Sequence, residues 1–178
     1  MKRLMGLKRK PTSSLFKEAD EYGRIFPNSF APVIVWEGNQ RILKPMRYRI
    51  RPSHSKEEIP SKYNVFNARL DSLEKRKTWS SLFMQKHALF PFQRFYEWVE
   101  NKEHKSRLIS FYPKNKEIMW APALYDIWTS ASEEISFESF AIITDNPPPE
   151  VAALGHDRCP IFLREDLINN WLQPEKFS

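Results

Sequence analysis

Pro32-Val33-Ile34-Val35-Trp36, Glu37-Gly38-Asn39-Gln40 and Arg41-Ile42-Leu43 follow one another without a gap. The first run reads as a strand, the second as a hairpin turn, and the third as the start of the returning strand. Antiparallel pairing therefore begins early in the chain. Met46-Arg47-Tyr48-Arg49-Ile50-Arg51 then alternates strictly. In an extended chain this puts Met46, Tyr48 and Ile50 on one face and three arginines on the other, and Pro52 stops the run. The arginine face reads equally as a solvated edge that discourages strand pairing or as a row that tracks phosphates.

Further strands are expected over Leu108-Ile109-Ser110-Phe111-Tyr112, Ile118-Met119-Trp120 and Phe137 to Thr144, separated by turns such as Pro113-Lys114-Asn115-Lys116. Three short helices are also expected. One runs from Ser13 or Ser14 through Leu15, Phe16 and Ala19 to Gly23. A second runs from Thr78 through Trp79, Leu82, Phe83 and Met84 to near Ala88. A closing helix carries Leu163, Leu167, Ile168, Trp171 and Leu172. Fourteen prolines against four glycines argue against a helical bundle. At 178 residues the chain holds one domain, here 1–178, of the α+β class.

The net charge of +6 favours a polyanionic partner such as nucleic acid. Aromatic residues make up 14% of the chain, with six tryptophans, enough for some rings to line a groove where bases stack. No apolar run is long enough to span a membrane, and the start Met1-Lys2-Arg3-Leu4 lacks a signal-peptide pattern, so a cytoplasmic location is expected. The basic stub, with five Lys or Arg among its first ten residues, reads most simply as a frayed terminus. Cys159 is the single cysteine, which excludes an intrachain disulfide and a multi-cysteine metal site. No metal or cofactor is expected, and a monomer is.

Two polar clusters stand in apolar surroundings. Phe95-Tyr96-Glu97-Trp98 wedges a carboxylate between aromatics. Gly155-His156-Asp157-Arg158-Cys159-Pro160 gathers an imidazole, an acid and a guanidinium after the apolar run that ends at Thr144. If the fold brings them together, Glu97 and His156 form an acid–base pair in a partly dry pocket, where desolvation makes a carboxyl a useful proton carrier. The plainer alternatives are a strand glutamate with its head in solvent and a salt-bridged turn. Asn67-Ala68-Arg69 offers an amide able to orient an amine or hydroxyl, or it is a surface turn.

These blocks, in order, resemble the SOS response-associated peptidase family, the abasic-site processing proteins that shield abasic sites in single-stranded DNA. They are Asn67-Ala68-Arg69, Leu89-Phe90-Pro91 with Phe95-Tyr96-Glu97-Trp98, Ala121-Pro122-Ala123-Leu124-Tyr125-Asp126-Ile127-Trp128, and His156-Asp157-Arg158 with Pro160. The resemblance covers roughly Phe26 to Leu172. It implies a strongly curved, barrel-like, mainly antiparallel sheet with a few short helices. It also implies that Asn67 positions a terminal amine, Glu97 shuttles protons and His156 opens the abasic sugar ring. Arg69, Arg158 and the Arg47 region would bind phosphates, while Tyr48 and Trp98 would shape or stack along the DNA.

Family members carry a cysteine directly after the initiator methionine. Its free α-amine condenses with the abasic aldehyde, and its thiol closes the imine to a thiazolidine. Here position 2 is Lys2. The N-terminal catalytic segment is therefore missing or altered, and the expectation is that Met1 is an internal start with the cysteine upstream. Cys159 cannot substitute, because its nitrogen is in a peptide bond. Smaller departures are Arg94 in place of a glycine, and Leu70-Asp71 in place of an Ala/Ser-Glu pair.

The implied function is abasic-site sensing on single-stranded DNA, with crosslinking when the terminal cysteine is present. Whether this chain is an enzyme, by peptidase, crosslinking or lyase-like Schiff-base chemistry, stays open. The rivals are a non-covalent single-strand binding module, and a Glu/His hydrolase or peptidase acting on another substrate.

Overall fold

The computed structural model describes residues 23–100, 106–114 and 118–174. The expected helix from Ser13 or Ser14 through Ala19, the basic stub and part of the Pro113 turn lie outside them. The opening hairpin forms as its sequence dictates. β1 (Phe30–Glu37) pairs antiparallel with β2 (Gln40–Tyr48) in a register running from Phe30 opposite Arg47 to Glu37 opposite Gln40. Gly38 and Asn39 both adopt positive φ, which matches the twist of a two-residue hairpin turn.

The sheet closes on itself. β1 also pairs with β4 (His87–Phe92), β4 with β7 (Met119–Thr129), and β7 with β8 (Ser136–Asp145), all antiparallel. β8 then meets β2 in parallel at Arg47 opposite Ser139 and Tyr48 opposite Phe140, completing a five-stranded barrel. Closure leaves these strands little open edge. Two short strands extend the far end of β8. β3 (Asn67–Arg69) runs parallel to Ile142–Thr144, and β9 (Cys159–Pro160) pairs with Thr144 and Asp145. A separate hairpin, β5 (Phe95–Glu100) with β6 (Ser106–Phe111), is held at one end by stacking of Phe95 on Phe111 and meets the rest of the molecule through contact of Phe95 with Phe162.

Period-two alternation sorts the side chains. Val33, Val35, Met46, Ala88, Phe90, Ala121, Ala123, Phe140 and Ile142 fill the interior. Their neighbours Leu124, Ala141 and Ile143 point outward, under Leu73, Trp79 and Leu82. Leu89 points outward under Ile168 and Leu172 of the closing helix. Fully burying a side chain such as Phe140 contributes about 1.5–3 kcal/mol.

Three expectations need correction. The helix expected to reach Ala88 is a single turn, α1 (Lys77–Ser80), whose N-cap is Arg76 rather than Thr78. Trp79 and Leu82 are buried from this turn and the bends after it, and a positive φ at Met84 ends any helical continuation. The strand read over Ile118-Met119-Trp120 runs on to Thr129, because Pro122 occupies a place in β7 opposite Leu89. The alternation of Met46 to Arg51 breaks at Arg49, where φ is 125° and β2 has already ended. Met46 therefore lies inside the barrel and Ile50 in the outer cluster, so the two do not share a face. Among the described residues α-helical turns also occur at α2 (Pro149–Ala152) and α3 (Ile168–Leu172), the latter preceded by a 3₁₀ turn, Glu165–Leu167.

Candidate active site

The far end of β8 gathers the polar groups. Thr144 pairs with Arg69 of β3 and with Pro160 of β9, so the Asn-Ala-Arg and His-Asp-Arg segments meet on this strand. The register puts Asn67 and Arg69 on the same face as Ile142 and Thr144, with Ala68 turned outward into the core. After α2 the chain reverses at Gly155, whose φ of 88° favours glycine, and this turn delivers His156. Glu97 comes from the hairpin. Along β5, Phe95, Glu97 and Val99 are half-buried, while Tyr96 and Trp98 are exposed.

Glu97 and His156 face one another. The imidazole Nδ1 lies 3.7 Å from Glu97 Oε2, and Nε2 lies 3.0 Å from the carbonyl oxygen of Trp98. A carbonyl only accepts, so Nε2 carries a hydrogen and donates it, which leaves Nδ1 toward the carboxylate. At 3.7 Å this contact is longer than a hydrogen bond, and it is an ion pair whenever the imidazole is protonated. Burial pushes the Glu97 carboxyl above its ordinary range. His156 opposes that shift and Asp157 adds to it. This is the environment of a proton carrier.

Beside the pair, Tyr48 donates to Asn67 Oδ1 at 2.9 Å. The phenol is held protonated by burial first and by the Glu97 charge second, and it fixes the Asn67 amide so that its NH2 group is the side left to donate. The Tyr48 ring stacks on Phe90 and Phe140 and meets Phe66 edge-on, so its faces are taken by the protein. Burial pushes the Cys159 thiol up to about 11, with a further contribution from Glu97, which leaves it inert as a nucleophile at neutral pH.

Asn67 also lines a cleft of about 130 Å³ with Arg69, Arg76, Arg158, Ser72 and Thr144. Arg69 pairs with Asp71, Nε to Oδ1 at 3.0 Å and Nη2 to Oδ2 at 2.6 Å, and this pairing draws the Asp71 carboxyl down to about 2. The hydroxyl of Thr144 is buried and has no hydrogen-bond partner among the described residues. Such a group is costly unless a ligand or water meets it. Trp98, 66% exposed, stands on the hairpin with its carbonyl on His156.

The structure thus brings together Asn67, Tyr48, Glu97 and His156, lines the cleft beside them with Arg69 and Arg158, and leaves the Trp98 ring exposed on the face of β5 opposite Glu97. Arg47 is elsewhere. Its guanidinium is fully buried, forms a bidentate pair with Glu58 at 2.9 and 3.0 Å, and lies over the Phe137 ring. Arg49 shares Glu58, and Arg51 stacks on Trp128 at 3.4 Å. Neither the solvated edge nor the phosphate-tracking row describes this face, because Glu58 folds back over it. Thr144, Ser72 and Arg76 were missed by sequence reading. The signal for Thr144 was its place as the polar end of an apolar strand. For Ser72 and Arg76 there was none, because the turn Leu70–Ser72 and the cap of α1 at Arg76 that place them carry no periodic pattern.

Comparison with known proteins gives the family and the fold. The family described as SOS response associated peptidase (SRAP) matches residues 7–178. The abasic site processing protein YoqW of Bacillus subtilis is 24% identical over 151 residues, 85% of this chain and 66% of its own length. The abasic site processing protein HMCES of Xenopus tropicalis is 25% identical over 174 residues, 82% of this chain and 52% of its own. The chain therefore spans between about half and two thirds of these relatives. A crystal structure of a protein from Bacteroides thetaiotaomicron shares the fold, with a TM-score of 0.71 at 20% identity over 82% of this chain and 63% of that one. One from Bordetella bronchiseptica has the same score and identity, covering 84% and 75%. Ordered sequence blocks, a closed barrel and a family match over nearly the whole chain coincide: the chain belongs to the SOS response associated peptidase family.

Proposed function

We propose that the protein recognises abasic sites in single-stranded DNA at the end of the barrel where Glu97, His156 and Asn67 meet. The observation that carries this reading is the Glu97–His156 pair, 3.7 Å apart, set beside an arginine-lined cleft. An abasic sugar lacks a base, so nothing bulky keeps its reactive carbon from reaching such a pair. Protonated His156 donates to the ring oxygen as the bond from that oxygen to the anomeric carbon breaks, Glu97 takes the proton of the anomeric hydroxyl, which becomes the aldehyde, and both transfers reverse on ring closure. Asn67, oriented by Tyr48, presents N–H groups to the sugar or to an attacking amine's carbinolamine oxygen. Arg69, Arg76 and Arg158 take phosphates, and Trp98 stacks on a neighbouring base. The relatives' names, abasic site processing proteins, support the same substrate.

Thiazolidine capture needs an α-amine and a thiol on one residue. The given sequence has Lys2 at position 2 and its single thiol on Cys159, so the described site supports recognition and proton transfer. Covalent capture would depend on a terminal cysteine ahead of this sequence. No membrane is involved in this reading, and among the described residues no helix is long and apolar enough to cross one.

The test is a comparison of two oligonucleotides, one with a single abasic site and one intact. The abasic strand should bind the protein more tightly, and Glu97→Gln should reduce that preference while leaving binding of the intact strand unchanged. Equal affinity for both strands in the unaltered protein would replace this reading with that of a general single-strand binder.

A further inference from the structure

Arg69 is held from behind. Its side-on edge, Nε and one N–H of Nη2, is taken by the two oxygens of Asp71, and Ser72 Oγ donates to Asp71 Oδ1 at 2.9 Å. The 3₁₀ turn Leu70–Ser72, which follows β3 directly, makes this geometry local. Arg69 and Ser72 line the cleft with Asn67 and Arg158. Asp71 does not. It lines a separate depression with Leu70, Leu73 and Phe83, which Arg69 does not border.

A guanidinium offers five N–H donors on two usable edges. With the side-on edge fixed by Asp71, the end-on edge, Nη1 and the second N–H of Nη2, is left for the cleft. Among the described residues no hydrogen bond from Nη1 occupies it. An exposed arginine otherwise samples many rotamers and must give them up on binding, so a carboxylate that fixes the planar fork beforehand reduces the cost of recognising a phosphate.

We propose that Asp71 is a positioning residue for DNA: it anchors the side-on edge of Arg69 so that the end-on edge takes one backbone phosphate in the cleft. The inference rests on the abasic-site reading above and deepens it. The Asp71 carboxyl, drawn down to about 2 by Arg69 and then by Ser72, stays ionised at every pH at which DNA would be bound. Simple charge counting gives the opposite sign. A negative group near an anionic ligand repels it, and its removal would tighten binding. The sign of the effect therefore decides between a positioning residue and a competitor.

The experiment measures binding of an abasic-site single strand by fluorescence anisotropy over a range of salt. The proteins are the unaltered chain, Asp71→Asn, Asp71→Glu, Arg69→Ala and the double variant Arg69→Ala with Asp71→Asn. Thermal melting checks that each is folded. Arg69→Ala should weaken binding and lower the salt slope by about one phosphate. Asp71→Asn should weaken binding about fivefold while Arg69 is present, leave it equal or slightly tighter once Arg69 is gone, and be largely rescued by Asp71→Glu. Binding by Asp71→Asn as tight as or tighter than the unaltered chain, with Arg69→Ala still impaired, would overturn the positioning role and leave the DNA reading intact. Unchanged affinity and salt slope in Arg69→Ala would remove the phosphate role of Arg69, and this inference with it.

Discussion

Two sets of arginines lie at different places in this barrel and have opposite surroundings. Arg47, Arg49 and Arg51 follow an alternating strand. All are buried, gathered on the single carboxylate of Glu58, and two of them lie against Phe137 and Trp128. Arg69, Arg76 and Arg158 come from the ends of short elements and border an open cleft. The first set is buried under a shared carboxylate and aromatic cover, whereas the second borders a cleft beside an acid–base pair, and even Arg69, with one edge on Asp71, stays exposed. Whether a guanidinium can serve an external phosphate is thus set by what the fold has already placed on it, not by the density of positive charge along the chain.

The largest way to break this contrast is Glu58→Ala. Removing the shared carboxylate leaves buried guanidinium groups without their counter-charge, a loss of about 3–5 kcal/mol. Urea unfolding should show it as a lower midpoint. An unchanged midpoint would mean that the first set is not clamped in the way the geometry describes. Trp98→Ala sharpens the other side. The ring is 66% exposed, so melting should not change, whereas single-strand affinity should fall by about 1–3 kcal/mol if a base stacks there. Equal affinity would remove the hairpin from the DNA contact.

The smallest effect expected is a pH dependence. Because burial holds the folded Glu97 carboxyl above its ordinary value of 4.5, the folded protein binds that proton more tightly than the unfolded chain does. The resulting stability is complete below the unfolded value and is lost as pH rises through the raised folded value. Glu97→Gln removes this dependence. The unaltered protein should therefore lose stability relative to the variant as pH climbs out of the ordinary glutamate range. Parallel stability profiles for the two would place Glu97 in a solvated setting.

Much of the barrel was legible because its signals are local. Gly38 and Asn39 supply the two positive-φ residues of a hairpin, and the apolar run ending at Thr144 is buried on both faces of β8. The clusters holding Glu97 and His156 stood out because polar residues in apolar surroundings need a partner, and each turned out to be the other's. What stayed hidden depended on distant chain. Glu58 sits in the stretch between Pro52 and Asn64, which carries no periodic pattern, so nothing in the alternation of Arg47, Arg49 and Arg51 announced a shared carboxylate. The parity error at Ile50 has the same origin, since the positive φ of Arg49 serves that cluster. The helix expected after Thr78 failed because its apolar spacing suits a turn that drops Trp79 and Leu82 onto the outer face of the sheet as well as it suits a helix.

The central claim is that DNA meets the cleft beside Glu97 and His156 and not the clamped arginines. Hydrogen–deuterium exchange, with and without a saturating abasic-site single strand, tests it most directly, because both regions are bordered by loops whose amides exchange. The account predicts slower exchange in residues 70–76 and 154–158 on binding, with no change in residues 52–64. Slower exchange in 52–64, with 70–76 and 154–158 unaffected, would contradict it.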